Sequence, residues 1–107
     1  MNGWIGVDYD GTLVDELGQP VSKMVRRIRR WLAAGEEVRI VTARASSANR
    51  IGRSTAEMIE PVERMCLILF GRILPITCEK DFNMVELWDD RAVQVIPNTG
   101  ERADGKV

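Results

Sequence analysis

The chain has 107 residues, of which 45% are hydrophobic and 29% are charged, and its formal net charge is −1. This length suits one domain that buries about two-thirds of its unfolded surface. The balanced charge gives no overall attraction to nucleic acid or to an anionic membrane. The sequence contains no histidine, which excludes Ser-His-Asp and Cys-His catalysis and the commonest zinc sites. Carboxylates, lysine, threonine and a hard cation remain as the available chemistry.

Neither a membrane span nor a signal peptide is indicated. No apolar run approaches the roughly 18 residues that a membrane helix needs, and the N-terminus lacks a basic region followed by a long apolar stretch. Cys66 and Cys78 have neither metal nor redox spacing, which predicts reduced, mostly buried thiols. We therefore expect a cytoplasmic protein with no membrane partner.

The first predicted strand is the apolar run from Trp4 to Val7, and two carboxylates follow it. Strand side chains alternate with a period of two, so Asp8 and Asp10 leave the strand on the same side. Like charges this close raise at least one pKa, and a divalent cation between them would relieve the repulsion. Asp8 could then stay anionic while Asp10 carries a proton.

The Asp10-Gly11 pair also fits a different structure. It is a type I′ turn signal, and Leu13 and Val14 could form the returning strand of a β-hairpin. The next elements argue against this alternative, because a strand, a helix and a second strand in succession indicate a parallel βαβ unit.

The helix of this unit is predicted by apolar residues at helical spacing from Val21 to Leu32, with Pro20 or Ser22 at its start and Gly35 as its cap. The second strand is predicted over residues 37–42. The other side of the helix is basic, either as an ordinary solvated face or as a surface for a phosphate-bearing polymer. Its cationic residues are Lys23, Arg26, Arg27, Arg29 and Arg30.

The second half of the chain is predicted to contain two helices and three strands. Ser46 or Ser47 caps a helix that runs to about Ile59, and Pro61 begins another that ends at Phe70. The strands are predicted over residues 74–78, 85–88 and 92–96. The connection before the fourth strand, residues 79–84, is shorter than a parallel crossover normally needs.

The predicted fold is therefore α/β, a three-layer α/β/α Rossmann-like sandwich with a mainly parallel sheet of about five strands. Residues 1–98 form one domain, and residues 99–107 form a polar tail.

Chemically active residues fall at or near the carboxyl ends of the predicted strands, where open α/β sheets bind ligands. These residues are Asp8 with Asp10, Thr42, Lys80, and Asp89 with Asp90. Each has an ordinary alternative: Thr42 could only start a turn, Lys80 could be a solvated lysine, and the acidic pair could only cap a loop.

The order of these residues resembles the haloacid dehalogenase superfamily. Asp8-Tyr9-Asp10-Gly11-Thr12 matches its first motif, Asp-x-Asp-x-Thr, and the strand that ends in Thr42 resembles the second. Lys80 is the only lysine in the interval of the third motif, and Leu87-Trp88-Asp89-Asp90 fits the fourth. The resemblance spans Trp4 to about Ile96 and implies a capless, phosphatase-like domain.

The resemblance also implies a role for each matching residue. Asp8 would attack phosphorus to form an aspartyl-phosphate, and Asp10 would protonate the leaving oxygen and then activate water. Thr42 would hydrogen-bond a phosphoryl oxygen, and Lys80 would neutralise charge. Mg²⁺ would be held by Asp8, the backbone carbonyl of Asp10, Asp89 and, directly or indirectly, Asp90. The residues implied in phosphate or substrate binding are Gly11, Thr12, Ala43 and Arg44.

Related classes fit the residue order less well. Receiver domains place their acidic pair at the first strand and their lysine last, and the superfamily's ATPases resemble this chain but carry Thr where Asp10 stands. We therefore expect a Mg²⁺-dependent phosphatase, with a catalytically idle phosphate-binding or scaffold module as the alternative.

The expected substrate is a phosphorylated small molecule or nucleotide. A nucleic-acid 3′-phosphate is the second candidate, since the arginines at 44, 50 and 53 could track a phosphate backbone. An aromatic content of 6% argues against it, because few rings are present to stack on bases.

Overall fold

The computed structural model describes residues 3–47 and 52–106. This part of the chain contains a four-stranded sheet in which every pair of neighbouring strands is parallel, with the order β3-β2-β1-β4. The prediction of an α/β fold with a parallel sheet is thereby confirmed. In chain order the elements are β1 (Trp4–Asp8), α1 (Ser22–Ala33), β2 (Glu37–Val41), a 3₁₀ turn (Ala43–Ala45), α2 (Thr55–Phe70), β3 (Ile76–Thr77) and β4 (Met84–Trp88).

The hydrophobic core lies on one face of the sheet. Ile5 and Val7 of β1 pair with Val38 and Ile40 of β2, so their side chains share this face. The same buried cluster takes residues from both helices. Both helices therefore pack against one face, as two right-handed crossovers in the same direction require. The helix residues buried in the cluster are Met24, Val25 and Ile28 of α1 and Val62 and Cys66 of α2.

The second face is covered at Trp4 by the connection from β3 to β4 rather than by a helix. The Trp4 amide donates to the Asn83 carbonyl, and its indole Nε1 donates to Asp81, both at 2.8 Å. The Arg39 guanidinium lies 4.4 Å from the centre of the Trp4 ring. A short irregular segment thus replaces the helical crossover, which explains why so few residues separate the two strands.

The helical segment before β3 differs from the prediction. One helix, α2, replaces two, and Pro61 lies inside it. The helix begins where Ser54 and Glu57 form a capping box, in which the Ser54 Oγ accepts from the Glu57 amide at 3.2 Å. Residues 48–51 of the first predicted helix lie outside the described residues. Neither helix that the structure describes is long and apolar enough to cross a membrane.

The fifth strand and the third layer are not confirmed within residues 3–47 and 52–106. In place of a strand over 92–96, Val95 makes a single antiparallel bridge to Arg102. β4 is consequently an edge strand, and its Val85 and Leu87 are exposed. The hairpin alternative for Asp10-Gly11 is wrong, because β1 pairs in parallel with β2 and β4.

Candidate active site

The site lies at the carboxyl end of β1, between β1 and β4. The chain leaves β1 toward β2 on one side, whereas β4 lies on the other, so this is the point at which the strand order reverses. Val7 pairs with Trp88, which places Asp8 beside Asp89 where the two strands end. The topology therefore brings together acidic residues that are about 80 positions apart in the sequence.

Asp8, Asp89 and Asp90 form an acidic cluster in which each offers a carboxylate oxygen, all within 4.8 Å of one another. Partial burial raises the pKa of Asp8 from 3.8 to about 7, helped by a hydrogen bond with Asp90 and by the charges of Asp89 and Asp90. Burial is the main cause of this shift, and the neighbouring carboxylates of Asp89 and Asp90 add to it. A cation would relieve the repulsion among the three carboxylates.

Asp90 is seated directly against Gly11. Gly11 has a φ of +84°, and a Cβ there would lie 2.6 Å from Asp90 Oδ2. Asp89 is fixed differently, because its Oδ1 accepts from the Arg91 amide at 2.7 Å and the Ala92 amide at 3.2 Å. Asp89 thus caps the loop, as the ordinary alternative predicted, and also belongs to the acidic cluster.

The donor set of this cluster fits a hard divalent cation. All three ligand groups are carboxylates, which Mg²⁺ and Ca²⁺ prefer over nitrogen and sulfur ligands. The cradle at Gly11 leaves just enough room for the Asp90 carboxylate. These residues could therefore hold the implied metal.

Asp10 does not join the cluster through its side chain. The Arg44 guanidinium donates to both of its oxygens at 2.8 Å and lies 5.2 Å from the centre of the Tyr9 ring. A third donation, to the Met58 carbonyl at 3.4 Å, ties Arg44 to α2. Arg44, predicted to bind phosphate, here holds Asp10 in place by the bidentate geometry that arginine favours with carboxylates.

Two threonines take different positions. Thr42 is 2% exposed, and its Oγ1 accepts from the Arg44 amide at 3.2 Å, so it starts the 3₁₀ turn as its alternative predicted. Its hydroxyl hydrogen has no acceptor among the described residues. The Thr12 hydroxyl is buried without a partner in that same part of the chain.

Two cavities flank Asp10. The smaller, of about 420 Å³, is lined by Asp8, Asp10, Thr42, Ala43, Asp89 and Arg91, among others. The larger, of about 610 Å³, lies between the loop after β1 and one face of α2. Asp10 and Arg91 line both cavities. A group bound at Asp8 could therefore extend past Asp10 into the larger cavity.

Lys80 is not brought to the acidic cluster. It is exposed in the connection between β3 and β4, and it makes no ion pair or hydrogen bond within the described residues. Its neighbour Cys78, which is exposed and not buried as predicted, lines the smaller cavity instead. Arg91, which the motifs did not indicate, is the cation that lines both cavities. Its only sequence signal is that it directly follows the acidic pair.

The raised pKa of Asp8 predicts how stability depends on pH. Because the folded state holds the proton more tightly than the unfolded state, its contribution is fully present below the unfolded pKa and is lost as pH rises through about 7. We expect the melting temperature of EDTA-treated protein to fall between about pH 4 and pH 8 relative to that of Asp8→Asn, which cannot ionise. Adding Mg²⁺ at the higher pH should restore it. If the melting temperatures of the two proteins changed with pH in the same way, the raised pKa of Asp8 in this cluster would be wrong.

Comparisons of the chain with family models, with curated proteins and with solved structures each returned no match. The fold and the site define an α/β protein with an acidic cluster at its topological switch point. Inference of function therefore depends on the geometry of this site and on the motifs that resemble the haloacid dehalogenase superfamily.

Proposed function

We propose that this protein is a Mg²⁺-dependent phosphomonoester hydrolase that works through an aspartyl-phosphate, as a capless domain of the haloacid dehalogenase type. The observation that carries the proposal is the convergence of Asp8, Asp89 and Asp90 at the switch point between β1 and β4, with Asp10 lining the same cavity as Asp8 and Asp89. In this proposal the two layers of the described residues are a reduced form of that superfamily's three-layer sandwich. A cytoplasmic location is part of the proposal and agrees with the unbridged Cys66 and Cys78.

Asp8 is the proposed nucleophile. One carboxylate oxygen of Asp8 attacks phosphorus, and the bond from phosphorus to the ester oxygen breaks. Asp10 donates a proton to that leaving oxygen, which departs as the alcohol. In the second step Asp10 takes a proton from water, whose oxygen attacks phosphorus and regenerates Asp8 with release of inorganic phosphate.

These steps require Arg44 to release one oxygen of Asp10. Both Asp10 oxygens accept from its guanidinium, so one must give up that bond before Asp10 can carry the proton of the first step. The remaining bond would keep the carboxyl oriented between the two cavities. Arg44 is thus proposed to position Asp10, in addition to any contact with substrate.

The phosphoryl group would lie in the smaller cavity. The buried Thr42 hydroxyl can donate to a phosphoryl oxygen, because it only accepts from the Arg44 amide. Mg²⁺ would be held by the side chains of Asp8, Asp89 and Asp90 and by the backbone carbonyl of Asp10. When bound, it would neutralise charge on these carboxylates and on the phosphate.

The cation that offsets phosphate charge is either Lys80, by resemblance, or Arg91, by position. We expect Arg91→Met to raise KM for a phosphomonoester about tenfold or more, since a charged hydrogen bond to phosphate is lost. Lys80→Met should also raise KM only if the connection between β3 and β4 moves toward Asp8 when substrate binds. Steady-state kinetics of both variants separate these roles. An unchanged KM in both would remove each from the phosphate site.

Phosphate release from p-nitrophenyl phosphate, with Mg²⁺ and with excess EDTA, tests the proposed function. We expect turnover that EDTA abolishes and added Mg²⁺ restores. The alternative is a catalytically idle module, favoured by the Arg44 pairing that keeps Asp10 occupied. If Mg²⁺ raises the melting temperature but no phosphomonoester is hydrolysed, the idle module is correct.

A further inference from the structure

The proposed function assigns no role to the larger cavity. It is lined by Asp10, Gly11 and Asp90, and Asp10 also lines the smaller cavity around Asp8. If Asp8 attacks phosphorus and Asp10 protonates the leaving oxygen, the alcohol must lie on the Asp10 side. This cavity of about 610 Å³ is on that side and is large enough for a nucleoside-sized group.

The charges that line this cavity oppose a second anionic group. It contains three guanidinium groups, from Arg44, Arg64 and Arg91, and four carboxylates, from Asp10, Asp15, Glu16 and Asp90. Two of the guanidinium groups are already paired, Arg44 with Asp10 at 2.8 Å and Arg64 with Glu60 one turn earlier in α2.

Two of the four carboxylates, Asp15 and Glu16, belong to the loop after β1. Asp15 accepts hydrogen bonds from the backbone amides of Leu17 and Gln19, both at 2.9 Å. Neither Asp15 nor Glu16 has a cationic partner within residues 3–47 and 52–106. An additional phosphate on the alcohol would face these two carboxylates, while Arg91, which lines the cavity and makes no ion pair within the described residues, is proposed to offset the transferred phosphate. This arrangement favours an uncharged alcohol.

The α2 side of this cavity carries three apolar residues beside Arg64. Pro61, Met65 and Ile68 of α2 line it, and Ile68 is 69% exposed although it is a large aliphatic residue. Tyr9 and Val14 lie on the inner side of the same cavity. A leaving group with an apolar face would cover Ile68 and remove its surface from water, which a small polyol cannot do as well.

We propose that this cavity binds the alcohol half of the substrate and selects monoesters whose alcohol is uncharged and has an apolar face, such as a nucleoside or an aryl alcohol. This inference rests on the proposed function and narrows its substrate class. It also counts against a nucleic-acid end, whose neighbouring phosphates would meet Asp15 and Glu16. The basic side of α1 gives that alternative little support, since Arg29 donates to the Leu69 carbonyl and Arg27 lies over Trp88.

The test compares kcat/KM for adenosine 5′-monophosphate, ribose 5-phosphate and adenosine 3′,5′-bisphosphate, with phenyl phosphate as an aryl ester. The first three share the same ester and differ by an apolar base or by one further phosphate. We expect the monophosphate to exceed ribose 5-phosphate and the bisphosphate by about tenfold or more each. The preference over the bisphosphate should shrink at high salt.

Two substitutions in the cavity and one control outside it then assign the preference to this cavity. Ile68→Ser should lower the ratio of kcat/KM for adenosine 5′-monophosphate to that for ribose 5-phosphate by about three- to tenfold. Leu67→Ser, at a neighbouring exposed residue of α2 that does not line the cavity, should leave that ratio unchanged. Glu16→Lys should raise kcat/KM for the bisphosphate by about tenfold and reduce its increase with salt.

A preference for ribose 5-phosphate or the bisphosphate, or equal effects of Ile68→Ser and Leu67→Ser, would overturn this inference while leaving the proposed phosphatase intact. Hydrolysis of none of the four esters in saturating Mg²⁺ would contradict the proposed function itself, and the inference would be lost with it.

Discussion

Asp8→Asn is expected to abolish phosphate release, with kcat reduced by at least about 10³-fold, and to leave the fold intact. An amide is isosteric with the carboxylate, but it is too weak a nucleophile to attack phosphorus. The variant also removes one negative charge from a cluster in which the pKa of Asp8 is raised to about 7. The EDTA-treated variant should therefore melt at or above the temperature of the parent protein, and the increase on adding Mg²⁺ should become smaller.

The matched control is Asp104→Asn, the same chemical change at a residue near the C-terminus that lines neither cavity at the site. Asp104 pairs with Arg102 at 3.0 Å on the surface, so its loss should alter stability little and turnover not at all. Activity of Asp8→Asn within tenfold of the parent value would exclude Asp8 as the nucleophile. Loss of activity in both variants would point to an effect on folding.

The acidic residues of the cluster could be predicted from the sequence because each lies at or directly after the end of an apolar strand. Asp8 ends one apolar strand and Asp89 follows another, and parallel strands that neighbour each other present their carboxyl ends at one edge. Strand periodicity and direction place each of these residues at a carboxyl end, and the strand order, with β4 beside β1, brings them together. The close fit of Asp90 against Gly11 could not be foreseen, since it depends on a backbone φ of +84° and on the loop after β4.

The position of Lys80 could not be derived in the same way. Its place depends on how the chain returns from β3 to β4, and this irregular segment is held by the hydrogen bonds of Asp81 and Asn83 to Trp4. The pairing of Arg44 with Asp10 is equally long-range, across 34 positions. Sequence spacing identifies such residues by type, but their partners are decided by tertiary packing.

The predicted helix boundary at Pro61 is wrong for a local reason. The sequence favours Pro61 as a helix start, because proline is common in the first turn, but the capping box of Ser54 and Glu57 lies seven positions earlier and begins α2 there. Apolar Val62 and Cys66 then hold the helix on the core. Their burial outweighs the one backbone hydrogen bond that proline removes.

Gly11→Ala is expected to disrupt the acidic cluster while the protein stays folded. A Cβ at this position would lie 2.6 Å from Asp90 Oδ2 and 2.9 Å from its Cγ, so the carboxylate must leave its present position in the cluster. We expect phosphatase activity to fall by about 100-fold or more and the rise in melting temperature on adding Mg²⁺ to be largely lost. The positive φ adds a backbone penalty of about 1 kcal/mol, which leaves the protein folded.

Gly35→Ala is the control that isolates the displacement of Asp90 from backbone strain. Gly35 has a φ of +82°, close to that of Gly11, but its Cβ would have nothing within 4 Å. Both variants should lose similar stability in EDTA, because each forces alanine into the left-handed region. Only Gly11→Ala should lose activity and the response to Mg²⁺. If the two variants instead keep equal activity and equal Mg²⁺-dependent shifts, Asp90 does not need its seat on Gly11, and its assignment as a metal ligand fails.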